Sequence, residues 1–193
     1  MSVLEKLKTI AVFCGSRMGL NPQYREATAK LGELLGKQDI GLVYGGASVG
    51  LMGTLADSVL AHGGHVIGVI PKTLKAKELA HPGLSDLRVV GSMHERKAMM
   101  EDLSQAFIAL PGGIGTLEEI FEILTWAQLR IHKKPCGLLN IAGYYDGLIS
   151  FLNTMASEGF LAKHFEKRLL VRAEPGMLLD QLNAAVEANT ENM

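Results

Sequence analysis

The sequence is poor in cysteine, with only Cys14 and Cys136 among 193 residues. Two lone thiols, each at or near a β-like apolar run, read as core residues rather than as a disulfide. Basic runs are absent and the formal net charge is −1, so nucleic acid is not expected as the main partner. Long apolar runs are absent too. Nothing approaches the ~18 residues that suggest a membrane span. The run from Thr9 to Phe13 is too short for a signal-peptide core and no cleavage-like site follows it. A cytoplasmic protein with no membrane partner is the expectation. Among six histidines only His62 and His65 lie close together. They fall on a helix end and the strand after it, where two ligands converge poorly, so no metal is expected. No Ser–His–Asp or Cys–His spacing identifies a nucleophile with its base.

Glycine is what the chain has in plenty, at 22 residues, while 48% of residues are apolar and 20% charged. Those last two shares are ordinary for a globular protein. The length suits one domain over residues 1–193 with a sizeable core, the tail from Asn189 being frayed. Apolar runs predict strands at residues 10–14, 41–44, 65–70, 87–90, 107–110, 136–140 and 169–171. Amphipathic stretches predict helices at 22–37, 51–62, 93–103, 117–131, 145–158 and after Pro175. In the fourth of these, Leu117, Ile120, Phe121 and Leu124 form an apolar stripe. Residues 71–85 are polar, contain Pro71 and Pro82, and read as a long loop. Strand–helix alternation of this kind predicts an α/β fold, with right-handed crossovers and a mostly parallel sheet covered on both faces.

Ligands bind such sheets outside the carboxyl ends of the strands, and three strand ends here carry unusual sequence. They are Cys14-Gly15-Ser16-Arg17-Met18-Gly19, the stretch from Tyr44-Gly45-Gly46-Ala47 to Gly50-Leu51-Met52-Gly53, and Pro111-Gly112-Gly113-Ile114-Gly115-Thr116. Each leads into a helix N-terminus, where unpaired N–H groups and the positive dipole end favour an anion. No Gly-Lys-Ser/Thr follows, so none is a Walker loop, and none matches the dinucleotide fingerprint. Tight turns alone would explain any one loop. The three together predict a phosphate-binding corner.

Thr116 to Glu119 fits a capping box, with Thr116 as N-cap. Yet Glu118, Glu119 and Glu122 then crowd an anion-binding helix start, which is costly unless something cationic or proton-donating lies between. A ribosyl ring developing positive charge would meet that need. Ser92 to Glu95 is a second possible capping box, followed by Arg96 and Lys97. Those cations oppose the helix dipole. They are either solvated, with Lys97 pairing Glu101, or turned toward a bound anion. The methionines at 52, 93, 99 and 100 read as core or interface filler.

Pro111-Gly112-Gly113-Ile114-Gly115-Thr116-Leu117-Glu118-Glu119 and the upstream Met93-His94-Glu95-Arg96-Lys97 together resemble the two linked signatures of the LOG ("Lonely guy") family, the cytokinin riboside 5′-monophosphate phosphoribohydrolases. The similarity runs from about Ile10 to Phe151 and includes Thr125-Trp126-Ala127-Gln128. It implies a Rossmann-like doubly wound sheet and a homodimer, for which Trp126 and the Met99–Met100 pair are candidate interface elements. It also implies hydrolysis of the N-glycosidic bond of adenosine-type monophosphates, with no cofactor. By the motif match Arg96 and Glu119 are catalytic. Substrate contacts fall on Gly15, Ser16, Gly45, Gly46, Glu78, Lys97, Gly112, Gly113, Gly115, Thr116, Glu118 and Thr125. Two positions depart from the family pattern: Ala47 stands where a third glycine is usual, and Arg17 where serine is common. The alternatives are a non-catalytic nucleotide or cofactor carrier on the same fold, and lysine decarboxylation, for which no pyridoxal-type lysine site is recognisable.

Overall fold

A computed structural model describes residues 6–75, 80–161 and 168–191. Seven apolar runs form the strands β1 (Thr9–Phe13), β2 (Gly41–Tyr44), β3 (Val66–Pro71), β4 (Asp86–Val90), β5 (Ala106–Ala109), β6 (Cys136–Leu139) and β7 (Leu169–Arg172). Between them lie α1 (Pro22–Lys37), α2 (Gly50–Ala61), α3 (Lys72–Lys75), α4 (Met93–Asp102), α5 (Ile114–Gln128) and α6 (Asp146–Ser157), with α7 (Pro175–Glu191) after the last strand. Strand bounds lie within one residue of those expected from the sequence. The strands pair in the order β4-β3-β2-β1-β5-β6-β7, every pair parallel. The chain winds outward from β1 to β4, then returns to the other side of β1 and winds outward again. That is the doubly wound, Rossmann-like arrangement.

Central strands are apolar throughout because both sheet faces are covered. All four residues of β5 are buried, whereas the edge strand β4 carries Asp86 and Arg88, which pair at 2.6 Å. Charge on an edge discourages strand addition. One core layer packs Leu31 and Leu35 of α1, Leu51 and Leu55 of α2 and Leu178 and Leu182 of α7 against the sheet. The other packs Met100 of α4, Ile120 and Leu124 of α5 and Leu152 of α6. Asn21 caps α1 by accepting from Gln23 N–H at 3.0 Å, with Pro22 at the first helical position. No helix among the described residues is long and apolar enough to cross a membrane.

Both cysteines are free and buried, one in each core layer. Burial pushes the Cys136 thiol up to about 12. At Cys14, burial and then the charge of Glu119 raise it further. The thiolate is the reactive form, so neither thiol should react with a water-soluble disulfide reagent in the folded protein. Both should react once it is unfolded in denaturant. Rapid labelling of the native protein at either position would contradict the packing.

Four expectations change. Residues 71–85 are not one loop: Pro71 closes β3, Lys72–Lys75 form a helical turn, and Ala80 bridges to Ala47. Glu78 lies outside the described residues. Helix α7 continues through Glu191 instead of fraying from Asn189, whose side-chain amide donates to Lys133 O at 2.7 Å. Met100 is a core residue at 0% exposure, not an interface element. Finally, α5 begins at Ile114 with Gly113 as N-cap, so Thr116 is the third residue of the helix and not its N-cap. The buried face of α5 rotates accordingly to Thr116, Glu119, Ile120, Ile123, Leu124 and Ala127, while Leu117 and Phe121 are only half-buried.

Candidate active site

The reversal of strand order sets the carboxyl ends of β1 and β5 side by side, and the crevice outside such a point is where open α/β sheets bind ligands. The two loops leaving these strands are tied together. Leu110 N–H donates to Phe13 O at 2.9 Å, and Gly15 N–H to Pro111 O at 3.1 Å. Leu51 N–H, in the first turn of α2, donates to Gly15 O at 3.0 Å. Over this corner lies a cleft of about 570 Å³, a size suited to a small molecule.

Of the expected substrate contacts, Gly15, Ser16, Gly112, Gly113, Gly115, Thr116 and Glu118 line the cleft, as do Arg96 and Glu119. Arg17 lines it as well. The glycines differ in what demands them. A Cβ on Gly112 would lie 2.1 Å from Thr116 Oγ1 and 2.9 Å from Gly15 N, so the loop crossing itself requires that residue. Gly113 and Gly115 face no such neighbour: a Cβ at either meets no described atom within 4 Å. The φ of Gly113 is −90°, which any residue adopts. Glycine within a helix costs up to ~1 kcal/mol against alanine. Internal packing therefore gives no reason for these two glycines. Bare backbone at the positive end of α5, facing open space, is what a close-approaching anion would use.

Behind this helix end stands an ion pair. Arg96, in the first turn of α4, places Nη2 3.1 Å from Glu119 Oε1, with the two side chains 7% and 11% exposed. Gly45 leaves the space for it, since a Cβ there would fall 2.2 Å from Arg96 Nη2 and 2.5 Å from Met52 Cε. A buried ion pair adds little net stability. This one also leaves Arg96 Nε buried without a hydrogen-bond partner, which costs ~1–3 kcal/mol. As a device for holding the fold it is poor. As a charged donor and a carboxylate fixed at the wall of an anion-ready cleft, it is suited to a ligand.

Lys97 does not pair with Glu101 as its i, i+4 spacing suggests. It reaches Glu118 at 2.5 Å and Glu122 at 2.6 Å on α5, while Glu101 pairs with Lys134 at 2.6 Å. Burial alone would lower the Lys97 pKa, but the two carboxylates outweigh it and hold it above the ordinary lysine value. Lys97 thus offsets the charge of one of these two carboxylates at the edge of the cleft. That resolves much of the acidic crowding at the start of α5. Ser92 does accept from Glu95 N–H at 3.1 Å, although the Glu95 carboxylate reaches Gly91 N–H rather than closing the box on Ser92.

Several expected contacts are not brought to the cleft. Gly45 and Lys97 stand behind Arg96 and Glu118. Gly46 is buried in a turn with φ +82°, and its carbonyl accepts from His81 N–H at 2.9 Å. Ala47 is wholly buried beside it and crowds nothing in the cleft. Thr125 is exposed, its hydroxyl donating to Phe121 O at 2.7 Å. The sequence reading missed Tyr24, Tyr144 and Leu74, and took Met93 for filler; all four line the cleft. Tyr144 hydroxyl donates to Gly112 O, and its ring meets Tyr24 edge-on with centroids 5.5 Å apart. Nothing local marks these residues, which converge only through the fold.

The family model described as "Possible lysine decarboxylase" matches residues 52–182. The chain is 51% identical over 162 residues to the cytokinin riboside 5′-monophosphate phosphoribohydrolase LOG1 of Arabidopsis thaliana, covering 84% of this chain and 76% of that protein. It is 49% identical over 168 residues to the cytokinin riboside 5′-monophosphate phosphoribohydrolase LOG of Oryza sativa subsp. japonica, covering 87% and 69%. Among solved structures, it is similar to the molybdenum cofactor binding protein of Rippkaea orientalis, with TM-score 0.70 at 20% identity, covering 94% of this chain and 98% of that one. The Moco carrier protein of Chlamydomonas rheinhardtii gives TM-score 0.68 at 18% identity, covering 94% and 99%. At such identity these two speak for the fold alone.

Proposed function

The chain belongs to the LOG family of cytokinin riboside 5′-monophosphate phosphoribohydrolases, and on that premise we propose that it hydrolyses the N-glycosidic bond of cytokinin riboside 5′-monophosphates to free base and ribose 5-phosphate, with AMP as a second candidate substrate. The observation that carries this reading is the Arg96–Glu119 pair, buried at the wall of a cleft whose floor is an anion-ready helix end. The phosphate sits over Gly113 and Gly115, held by α5 backbone N–H groups with Ser16, Arg17 and Thr116 around it. Glu119 faces the sugar and stabilises positive charge at the anomeric carbon. Water adds its oxygen to that carbon as the C–N bonding pair leaves with the base, and one water proton ends on the base. Arg96 fixes the Glu119 carboxylate and sets a positive charge at the cleft wall. Lys97 acts through Glu118, and Gly45 through Arg96. Gly46, Glu78 and Thr125 rest on the motif match alone, as does a homodimer.

A carrier could use the glycine corner but has no need of a buried Arg–Glu pair beside it. Lysine decarboxylation finds no support in the cleft: none of its described lining residues is lysine, and nearby Lys97 is held by two carboxylates. Chromatography of protein incubated with AMP or with isopentenyladenosine monophosphate tests the proposal. Free base is expected from one or both, and binding without release from either would favour the carrier.

The empty space above Gly115 gives a sharper check. Gly115→Ala should stabilise the protein by up to ~1 kcal/mol, because alanine is the better helix former and meets no neighbour. The same methyl group would intrude on a phosphate at the helix end, so KM should rise by about tenfold or more. A gain in Tm with unchanged KM would remove the phosphate from this position.

A further inference from the structure

Where β6 and β7 begin, at the end of the sheet opposite the substrate cleft, a second cleft of about 600 Å³ opens between the end of α5, the residues leading into β6, and the last turns of α7. Among the described residues its ionisable lining is Arg130, His132, Lys133, Lys134 and Arg168, with no carboxylate. The chain as a whole holds 19 basic and 20 acidic residues, so this is a local excess of positive charge.

Two of these cations have structural duties. Arg168 Nη1 donates to Ala127 O near the end of α5, and Lys134 Nζ donates to Glu101 O and pairs with the Glu101 carboxylate, both at 2.6 Å, near the end of α4. Cations at helix C-termini are expected there. That explanation does not reach Arg130 and Lys133. Both are exposed, and neither side chain has an ion pair or hydrogen bond among the described residues. Arg130 also occupies the left-handed position that ends α5, at φ 62°, with its N–H on Ala127 O and Ile131 N–H on Trp126 O. Glycine is the usual residue there, and a side chain is accepted at a steric cost. His132 is a neutral wall rather than another charge. Burial first, then Lys134 and Arg168, lower its pKa against the opposing pull of Ile123 O and Glu101. In the tautomer this network favours, Nε2 donates to Ile123 O at 3.0 Å and Nδ1 accepts from Lys134 N–H at 3.1 Å.

Arg130 and Lys133, which no described carboxylate offsets, repel each other and Arg168 across one concavity, and a bound anion removes that repulsion. The planar forks of Arg130 and Arg168 suit phosphate oxygens, and Ala185 and Ala188 supply a small apolar floor. We propose that this cleft binds a phosphorylated small molecule carrying two or more negative charges, at a site separate from the substrate cleft.

Calorimetric titration of the full chain with inorganic pyrophosphate, at fixed ionic strength, tests it without reference to any catalysed reaction. A saturable site is expected to survive Gly115→Ala, which obstructs the phosphate position of the substrate cleft. It should weaken by at least about tenfold when Arg130→Ala and Lys133→Ala are added to that variant, and an unchanged Tm would show that the protein folds. Equal binding after the two added changes, or loss of all binding in Gly115→Ala alone, would overturn the proposal. Citrate bound as tightly as pyrophosphate would overturn the phosphate assignment, since the cleft would then be a general polyanion trap.

Discussion

Replacing Glu119 by glutamine is expected to slow release of the base by roughly a hundredfold or more, while the nucleotide still binds. The amide has nearly the shape of the carboxylate and keeps an oxygen to accept from Arg96, so the geometry of the pair at 3.1 Å can persist. What disappears is the negative charge. If that charge faces the anomeric carbon as positive charge develops, its loss falls on kcat rather than on KM. The variant also leaves Arg96 buried without its counter-charge, and breaking such a pair can cost ~3–5 kcal/mol. Thermal unfolding must therefore be followed alongside turnover. A folded Glu119→Gln protein that turns over at the wild-type rate would take the catalytic role away from this residue.

Gly45→Ala should cost nearly as much activity from outside the cleft. The new methyl would lie 2.2 Å from Arg96 Nη2 and 2.5 Å from Met52 Cε, distances no packed pair of atoms holds. Both neighbours are the far ends of flexible side chains, so the fold itself should survive with a loss of ~1–3 kcal/mol. Arg96 cannot stay. Driven from Gly45, its guanidinium leaves Glu119, and turnover should fall about a hundredfold, as for Arg96→Ala. The double-mutant cycle decides whether the two act as one: in an Arg96→Ala background the Gly45 change should add little further loss. Independent, additive losses would mean that Gly45 serves the substrate directly.

Much of this architecture was legible in the sequence because it is written in local periodicity. Short apolar runs gave every strand of the sheet, and α1 matched at both ends. The start of α5 was misplaced for an equally local reason. Thr116 and Glu119 imitate a capping box, and Gly113-Ile114-Gly115 has no amphipathic pattern to outvote it. At the site, the motifs located Arg96, Glu119 and the glycines after β5, but not what each of them does. Lys97 finds its partners on another helix, 21 positions from Glu118, instead of one turn away at Glu101. Gly45 reads as a substrate contact because nothing nearby in the sequence reveals that Arg96 fills the space above it. Tyr24 arrives from α1 and Tyr144 from the turn between β6 and α6, and no spacing within either segment announces their meeting.

The bond from Gly15 N–H to Pro111 O joins parts of the chain made far apart in synthesis. β1 and β5 are neighbours through Ile10 and Ala106, with the three outer strands and their helices threaded between them. Closing so long a loop is entropically unfavourable until the intervening layers have formed. A nascent chain that stops short of β5 therefore has no binding corner, whatever secondary structure it has acquired. Occupancy of the corner then reports completed folding, and a nucleotide bound there holds the oldest and the newer halves of the chain together, raising the unfolding temperature as its concentration rises.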